Sequence, residues 1–217
     1  MNSLDPPNLY VPLNLHAVCG LPRKGKTALV VLMALEAHER GALIYSNVKV
    51  TDINRNDIRA PDGRLDPDDP NVCLHQLDEI FQDIRDNETW NIERFLILDE
   101  FSSLADAQDW KKYTWTTQLW KQAGKIGITG VAMDQNFSRI YNGYRDITVY
   151  KFLVGDVDIN GDYVSPPFCS VMVGRQTVND HAEYTRIADF YVDLTPAFKC
   201  YNTHQLMYFG QKKKKTR

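Results

Sequence analysis

The sequence predicts an α/β fold in which a mostly parallel central sheet is flanked by helices and followed by a β-hairpin. Short, almost wholly apolar segments alternate along the chain with longer segments of helical character. Strands that are apolar on both faces are typical of parallel sheets covered by helices on both sides. After Asp146 the pattern changes to two β-like segments around an Asn-Gly pair, which is typical of a hairpin.

The composition is that of a folded protein of ordinary charge. Of the 217 residues, 43% are hydrophobic and 24% are charged, and the net charge is -3. These values exclude a mainly disordered chain and a uniformly basic protein that coats DNA, while local basic patches remain open. The apolar windows are shorter than the roughly 20 residues of a membrane span, and the N-terminus lacks the features of a secretory signal. We therefore expect a soluble protein that works inside a cell or a particle.

The first half of the chain predicts two strands and two helices. We expect a strand at residues 13–20, a buried helix from Lys26 that stops at Gly41, and a second strand at 42–50. Residues 60–71 are rich in Pro, Asp and Gly, which predicts an exposed loop. An amphipathic helix is expected at 77–85.

The second half predicts two more strands, a helix and the hairpin, all within one domain. The expected elements are a buried strand at 94–100, a helix at about 106–121 that carries three tryptophans, a strand at 125–135, a β-hairpin at about 147–177 and a basic tail at 211–217. The whole chain, 1–217, is expected to form one domain with its core at about 13–154.

The strongest motif is GLPRKGKT at residues 20–27, which fits the phosphate-binding pattern G-x-x-x-x-G-K-[ST] in full. It lies between a predicted strand and a predicted helix, where loop amides and the helix N-terminus can bind the phosphates of ATP. Lys26 is expected to reach the β- and γ-phosphates and Thr27 to bind Mg²⁺. The predicted nucleotide-binding residues are Gly20, Gly25, Lys26, Thr27 and Ala28.

A second motif, RFLILDE, ends a buried strand with two acids. In parallel α/β sheets the carboxyl ends of the strands bind ligands, so Asp99 is placed to hold the Mg²⁺ shell as a Walker B acid. The adjacent Glu100 suits a general base that activates water. Two surface acids that cap a helix near Ser102 are the alternative.

Three weaker candidates lie at or after the end of the strand at 125–135. Gln135 ends this strand and is predicted to sense the γ-phosphate or to orient water, whereas Asp134 beside it is less favoured. Arg145 and Arg139 are candidate arginine fingers that would act on the γ-phosphate of a neighbouring subunit. An ordinary surface ion pair is the alternative for each arginine.

Taken together, these motifs resemble the HerA/FtsK branch of P-loop ATPases. Within or near it, the chain is similar to the genome-packaging ATPases of membrane-containing icosahedral viruses and to the zonula-occludens-toxin-like assembly ATPases of filamentous phages. The resembling segments are GLPRKGKT, YSNVKV, FLILDEFSSL, AMDQ, YRDITVYKFLV and the late CYNTHQ. The resemblance implies a RecA-like (ASCE) fold, with Gln135 as the sensor and Arg145, ahead of Arg139, as the finger.

The resemblance also implies partners. It implies a homo-oligomeric ring, commonly a hexamer, that binds ATP between subunits, threads double-stranded DNA and docks on a capsid or membrane vertex protein. Candidate DNA contacts are Arg55, Arg59, Arg64, Lys111 and Lys112. The filamentous-phage proteins usually carry a membrane span, and no such segment is seen here, which favours packaging.

The sequence therefore predicts an ATP-hydrolysing motor that moves double-stranded DNA, most simply for viral genome packaging. Two alternatives remain open. A small-molecule kinase would need an arginine-rich lid after the second strand, and residues 60–71 supply only Arg64. A nucleotide-switched assembly or export protein would bind ATP without moving DNA.

Overall fold

A computed structural model describes residues 9–105, 108, 111, 114–158, 160–176 and 184–201. Eight strands form one sheet. They are β1 (Leu15–Cys19), β2 (Leu43–Ser46), β3 (Arg59–Arg64), β4 (Arg94–Leu98), β5 (Ile128–Asp134), β6 (Tyr150–Gly155), β7 (Phe168–Gln176) and β8 (Tyr184–Asp193). Their order is β3-β2-β4-β5-β1-β6-β7-β8.

The sheet is parallel from β3 to β6 and antiparallel from β6 to β8. Strand β5 lies between β4 and β1, with Leu98 opposite Ala132 and Cys19 opposite Asp134. The carboxyl ends of β1, β4 and β5 therefore meet at one edge, and the loops that follow them are neighbours. The predicted α/β fold with a mostly parallel sheet is confirmed.

Helices cover both faces of the sheet. They are α1 (Lys26–Glu39), α2 (Pro70–Asp86), α3 (Phe101–Leu104), α4 (Thr116–Gln122) and α5 (Asn142–Arg145). One apolar core lies between α1 and the sheet and includes Val18, Ile97 and Met133. The second core, with Trp120 at its centre, lies under the other helices. No helix among the described residues is long and apolar enough to cross a membrane.

Two elements differ from the expectation for the first half of the chain. Residues 59–64 form the edge strand β3, although the sequence predicted a loop over 60–71. The strand is held by tertiary contacts, because Gly63 packs against the backbone of β2 and Asp62 accepts a hydrogen bond from the Tyr45 hydroxyl at 2.9 Å. Helix α2 begins at Pro70, earlier than expected, because the Asp69 side chain accepts hydrogen bonds from the first turn.

The hairpin expected at 147–177 is present as the antiparallel pair β6–β7, but its turn is different. The strands are joined by twelve residues, 156–167, rather than by the Asn160–Gly161 pair alone. That pair forms a small turn inside the connection, where Gly161 adopts a φ of 87° and the Asp158 carboxylate accepts the Asn160 amide at 2.8 Å. Strand β8, which the sequence analysis did not predict, extends the sheet by one more antiparallel pairing.

The helix expected at about 106–121 is seen only in part. Helix α4 covers Thr116–Gln122, and Trp110, Lys112 and several neighbours lie outside the described residues. Trp120 packs against Phe81 and Phe101 in the core, whereas Trp115 is exposed. The tail at 211–217 and residues 202–205 of CYNTHQ also lie outside the described part of the chain.

Candidate nucleotide-binding site

The phosphate-binding loop connects β1 to α1, and both of its glycines are required by its geometry. A Cβ on Gly20 would lie 2.2 Å from the carbonyl oxygen of Val154 on β6. Gly25 has a left-handed conformation, with a φ of 98°, and a Cβ there would lie 2.6 Å from Cδ1 of Leu194. The loop is therefore pressed against β6 and against the segment that follows β8.

The start of α1 presents a cation, a hydroxyl and free amides to this loop. The Lys26 Nζ lies 2.9 Å from the Gly20 carbonyl oxygen and 3.1 Å from that of Leu21, so its ammonium group lies within the curve of the loop. The first three amides of an α-helix have no helical acceptor and are available to an anion. Thr27 is half-buried beside them, whereas the Ala28 side chain is buried in the core, so only its backbone can face a phosphate.

Asp99 follows β4 at the same edge and is held by Asn47, which follows β2. The Asn47 Oδ1 accepts a hydrogen bond from the Asp99 amide at 2.9 Å, and its Nδ2 donates to the Asp99 carbonyl oxygen at 3.1 Å. Asn47 is fully buried. This asparagine lies in the YSNVKV segment of the resemblance, and no role was predicted for it from the sequence. Its bonds position the backbone from which the two acids project.

Glu100 stands next in the chain in an unusual backbone conformation. Its φ and ψ are 49° and 50°, in the left-handed region that residues with a side chain adopt rarely, and such residues cluster at functional sites. Its amide donates to the Asp99 carboxylate at 2.9 Å. The half-buried Glu100 side chain therefore starts from the turn between β4 and α3, beside Asp99.

Asp134, which the sequence analysis ranked below Gln135, supports the same turn. It is buried at the end of β5, where its Oδ2 accepts the Ser102 amide at 2.8 Å and its Oδ1 accepts the Gln135 amide at 2.7 Å. It thereby joins the end of β5 to the first turn of α3. The sequence signal that could have indicated this role is an aspartate at the end of an apolar strand, followed by polar residues.

The charges at this edge favour a bound cation. The pKa of the Asp99 carboxyl is raised to about 6, chiefly by burial and also by the carboxylates of Glu100 and Asp134, which together outweigh the lowering by the Glu100 amide and the Lys26 ammonium. Among the described residues, no group of three or more His, Cys, Asp or Glu side chains could hold a metal alone. Mg²⁺ fits these residues, since it is usually bound by one or two protein oxygens together with substrate phosphates.

The remaining sequence candidates occupy different places. Gln135 is exposed at the tip of β5, next to Asp134 and thus at the same edge as Asp99. Arg145 donates to the Ser138 carbonyl oxygen at 3.3 Å and lies 3.9 Å from the Asp146 carboxylate, so its contacts are not with the phosphate-binding loop. Arg139 is exposed. The structure thus places Gln135 at the edge of the sheet that carries Asp99, whereas the contacts of Arg145 are with Ser138 and Asp146.

The basic residues predicted to contact DNA differ in their exposure and in their ion-pair partners. Arg59 is paired with Asp57 at 2.8 Å and largely buried, so it is unsuited to bind DNA. Arg64 is more exposed and lies 3.7 Å from the same carboxylate, and Arg55 lines a separate surface pocket with Lys49. Lys111 is exposed, and Lys112 lies outside the described residues.

A family model for zonular occludens toxin (Zot) matches residues 15–156, well over half of the chain. The chain belongs to the Zot family. The matched segment contains the phosphate-binding loop, the Asp99–Glu100 turn and strands β1 to β6. No match was found among curated proteins.

The fold is similar to the crystal structure of the N-terminal domain of zonular occludens toxin from Neisseria meningitidis. The two share 15% sequence identity with a TM-score of 0.55, over 88% of this chain and 100% of that chain. At this identity the likeness concerns the fold, which in the Zot family is of the P-loop NTPase type. Of the two viral groups that the sequence resembles, the comparisons support the phage-assembly group, and the packaging group is not confirmed.

Proposed function

We propose that this Zot-family protein is a Mg²⁺-dependent ATPase that drives a step of phage assembly by moving double-stranded DNA. The observation that carries the proposal is that Lys26, Asp99 and Glu100 lie at the same edge of the sheet. Lys26 and Asp99 lie close enough for the ammonium to lower the pKa of the carboxyl. A protein that only binds nucleotide has no need of the second acid, which a water nucleophile requires.

In this proposal each residue has a separate task. The loop amides and Lys26 bind the β- and γ-phosphates and offset the negative charge that develops on transfer. Thr27 and Asp99 hold Mg²⁺, which neutralises phosphate charge when bound. Glu100 accepts a proton from the attacking water, in a turn fixed by Asn47 and Asp134.

Two further roles complete the proposal, and the second of them requires oligomerisation. Gln135, at the tip of β5, would sense the γ-phosphate. Arg145 is bonded within its own chain to Ser138 rather than to the phosphate-binding loop, so it would act on the ATP of a neighbouring subunit in a homo-oligomeric ring, with Arg139 as the second candidate. A hexamer is the expected ring.

The proposal also concerns the substrate and the docking partner. Genome packaging into a capsid, with a capsid or membrane vertex protein as the partner, is one form. The membership of the Zot family favours a second candidate function, in which ATP switches an assembly or export protein that does not move DNA.

ATP hydrolysis measured with and without long double-stranded DNA distinguishes the two. The motor predicts turnover that rises with DNA and is lost in Glu100→Gln. The matched control is Glu79→Gln, which changes an exposed acid on α2 and should leave turnover unchanged. Slow turnover that DNA does not affect would contradict the motor and support the switch.

A further inference from the structure

A cavity of about 450 Å³ opens beside the phosphate-binding loop. Its walls come from the loop at residues 23–27, from the connection between β6 and β7, and from the segment that follows β8. The volume lies within the roughly 300–1,000 Å³ that is usual for small-molecule sites. All residues that line it belong to the described part of the chain.

The sheet order places one wall of this cavity, the β6–β7 connection, on the side of the loop opposite the acids. Strand β1 has β5 and then β4 on one side, with Asp134 and Asp99 at their ends, and has β6 and β7 on the other. A nucleotide whose γ-phosphate lies near Asp99 and whose phosphates follow the loop therefore has its nucleoside end towards β6 and β7. The β6–β7 wall of the cavity lies at that end, while Lys26 and Thr27 line the cavity beside the phosphates.

Aromatic side chains line the cavity. Tyr163, Phe168 and Phe198 are exposed by 68%, 48% and 40% of their surfaces, and all three line it, together with Pro166 and the half-buried Tyr201. Nucleobases stack on aromatic side chains in a way that depends little on sequence or base, because every base has a π-face. Exposed aromatic rings that converge on one cavity beside a phosphate site have the chemistry of a base-binding wall.

The walls are fixed to the loop and to the core. The Lys24 ammonium is paired with the Asp156 carboxylate, which ties the loop to the connection after β6. The Phe198 amide donates to the Leu194 carbonyl oxygen at 3.2 Å, and Leu194 packs against Gly25. The turn at Ala197–Lys199 packs against α1. The cavity and the phosphate-binding loop are thus parts of one framework.

We propose that this cavity is the nucleoside subsite of the protein, in which the base of ATP stacks on Phe198 and Tyr163. This inference rests on the proposed ATPase function and deepens it. The β6–β7 connection and the segment after β8 then supply the base-binding wall, and apart from Asp156 both lie outside the matched family segment. The phosphates and the base are held by separate parts of the chain, so their contributions to affinity can be measured separately.

Equilibrium binding of Mg²⁺-ATP and of inorganic tripolyphosphate provides the test. Phe198→Ala is expected to weaken ATP binding about tenfold, as for the loss of one stacked base, and to leave tripolyphosphate affinity unchanged. Tyr163→Ala, at a more exposed position, should act in the same direction. Trp90→Ala is the matched control, since Trp90 is also an exposed aromatic side chain but does not line the cavity. Lys26→Ala should weaken both ligands.

Each outcome decides between the two proposals. If wild-type protein hydrolyses ATP and both aromatic variants bind ATP as tightly as wild type, the subsite is wrong and the ATPase stands. Equal losses of ATP and tripolyphosphate affinity in Phe198→Ala would also contradict stacking. If the aromatic variants lose ATP selectively but wild type does not hydrolyse it, the subsite stands and the ATPase fails. Absence of ATP binding by wild type overturns both.

Discussion

The side chain of Asn47 forms two hydrogen bonds with the backbone of Asp99, one from the Asp99 amide and one to its carbonyl oxygen. The residues are 52 positions apart, and the bonds join the ends of β2 and β4. An amide side chain matches a peptide group in donor and acceptor, so it can fix the position of that peptide. The consequence is that the acids at the end of β4 are positioned by a residue that need not contact nucleotide.

The first prediction concerns Asn47→Ala. Both backbone groups of Asp99 lose a buried partner, which should lower the free energy of unfolding by about 2 kcal/mol. Displacement of Asp99 and Glu100 should lower ATP turnover about a hundredfold, while ATP affinity changes far less. Chemical unfolding, ATP binding and steady-state turnover measure the three effects. Asn54→Ala, at an exposed site, is the control, and equal turnover in both variants would contradict the positioning role.

The second prediction compares two glycines that both have positive φ. Gly20→Ala should lower the free energy of unfolding by about 3 kcal/mol, because the new Cβ meets a backbone oxygen of β6 as well as backbone strain. The Cβ of Gly161→Ala would lie in open space, so this substitution should lower the free energy of unfolding only by the backbone strain, about 1 kcal/mol. Denaturant unfolding of the two variants gives the comparison. Similar losses would show that the loop does not pack closely on β6.

The third prediction concerns the pH dependence of stability. His16 is fully buried, its Nε2 lies 2.9 Å from the Val11 carbonyl oxygen, and burial lowers its pKa to about 4. Between this value and the ordinary pKa of about 6.5, the unfolded chain binds a proton that the folded chain does not. Stability should therefore fall as the pH drops through this window. His16 alone should lower the free energy of unfolding by about 2 kcal/mol between pH 7 and pH 5.

Comparison with His16→Gln isolates this effect from other titrating groups. The variant cannot take up the proton in the unfolded state, so its free energy of unfolding should fall less between pH 7 and pH 5. Urea unfolding at both pH values measures the difference. Equal losses in the two proteins would mean that His16 becomes protonated in the folded state without cost.

The fourth prediction concerns the arginine finger. Arg145→Ala should reduce ATP turnover about a thousandfold, whereas Arg139→Ala should have little effect. If Arg145 acts between subunits, mixing Arg145→Ala with Lys26→Ala before assembly should restore activity, because one subunit supplies Lys26 and its neighbour supplies Arg145. Turnover of the separate and mixed proteins measures this. Failure of the mixture to regain activity would contradict action in trans.

The sequence was sufficient for the parts of the fold with strong local patterns. The buried strands β1 and β4, the helix that starts at Lys26 and the loop between residues 20 and 27 all follow from apolar periodicity and from one motif. Strand β3 could not be predicted in this way, because RAPDGR has no strand pattern and is fixed by Tyr45 and the β2 backbone. For α2, the Asp69–Pro70 start signal was present in the sequence.

The candidate site also divides into residues that local motifs predict and residues that only the fold brings together. Lys26, Thr27 and Asp99 follow from motifs whose chemistry fixes the residue types. The roles of Asn47 and Asp134 depend on hydrogen bonds between ends of different strands, which local patterns do not encode. The aromatic cavity joins the loop to Phe198, far along the chain, and only the sheet order brings them together.

The central claim is that Glu100 activates water for ATP hydrolysis. The most direct measurement is single-turnover hydrolysis of Mg²⁺-ATP by wild type and Glu100→Gln, with ATP affinity measured for both. Loss of the base should slow hydrolysis by roughly 10² to 10⁴ while ATP still binds. Hydrolysis by Glu100→Gln at the wild-type rate would contradict the account, and so would a wild-type protein that binds ATP without hydrolysing it.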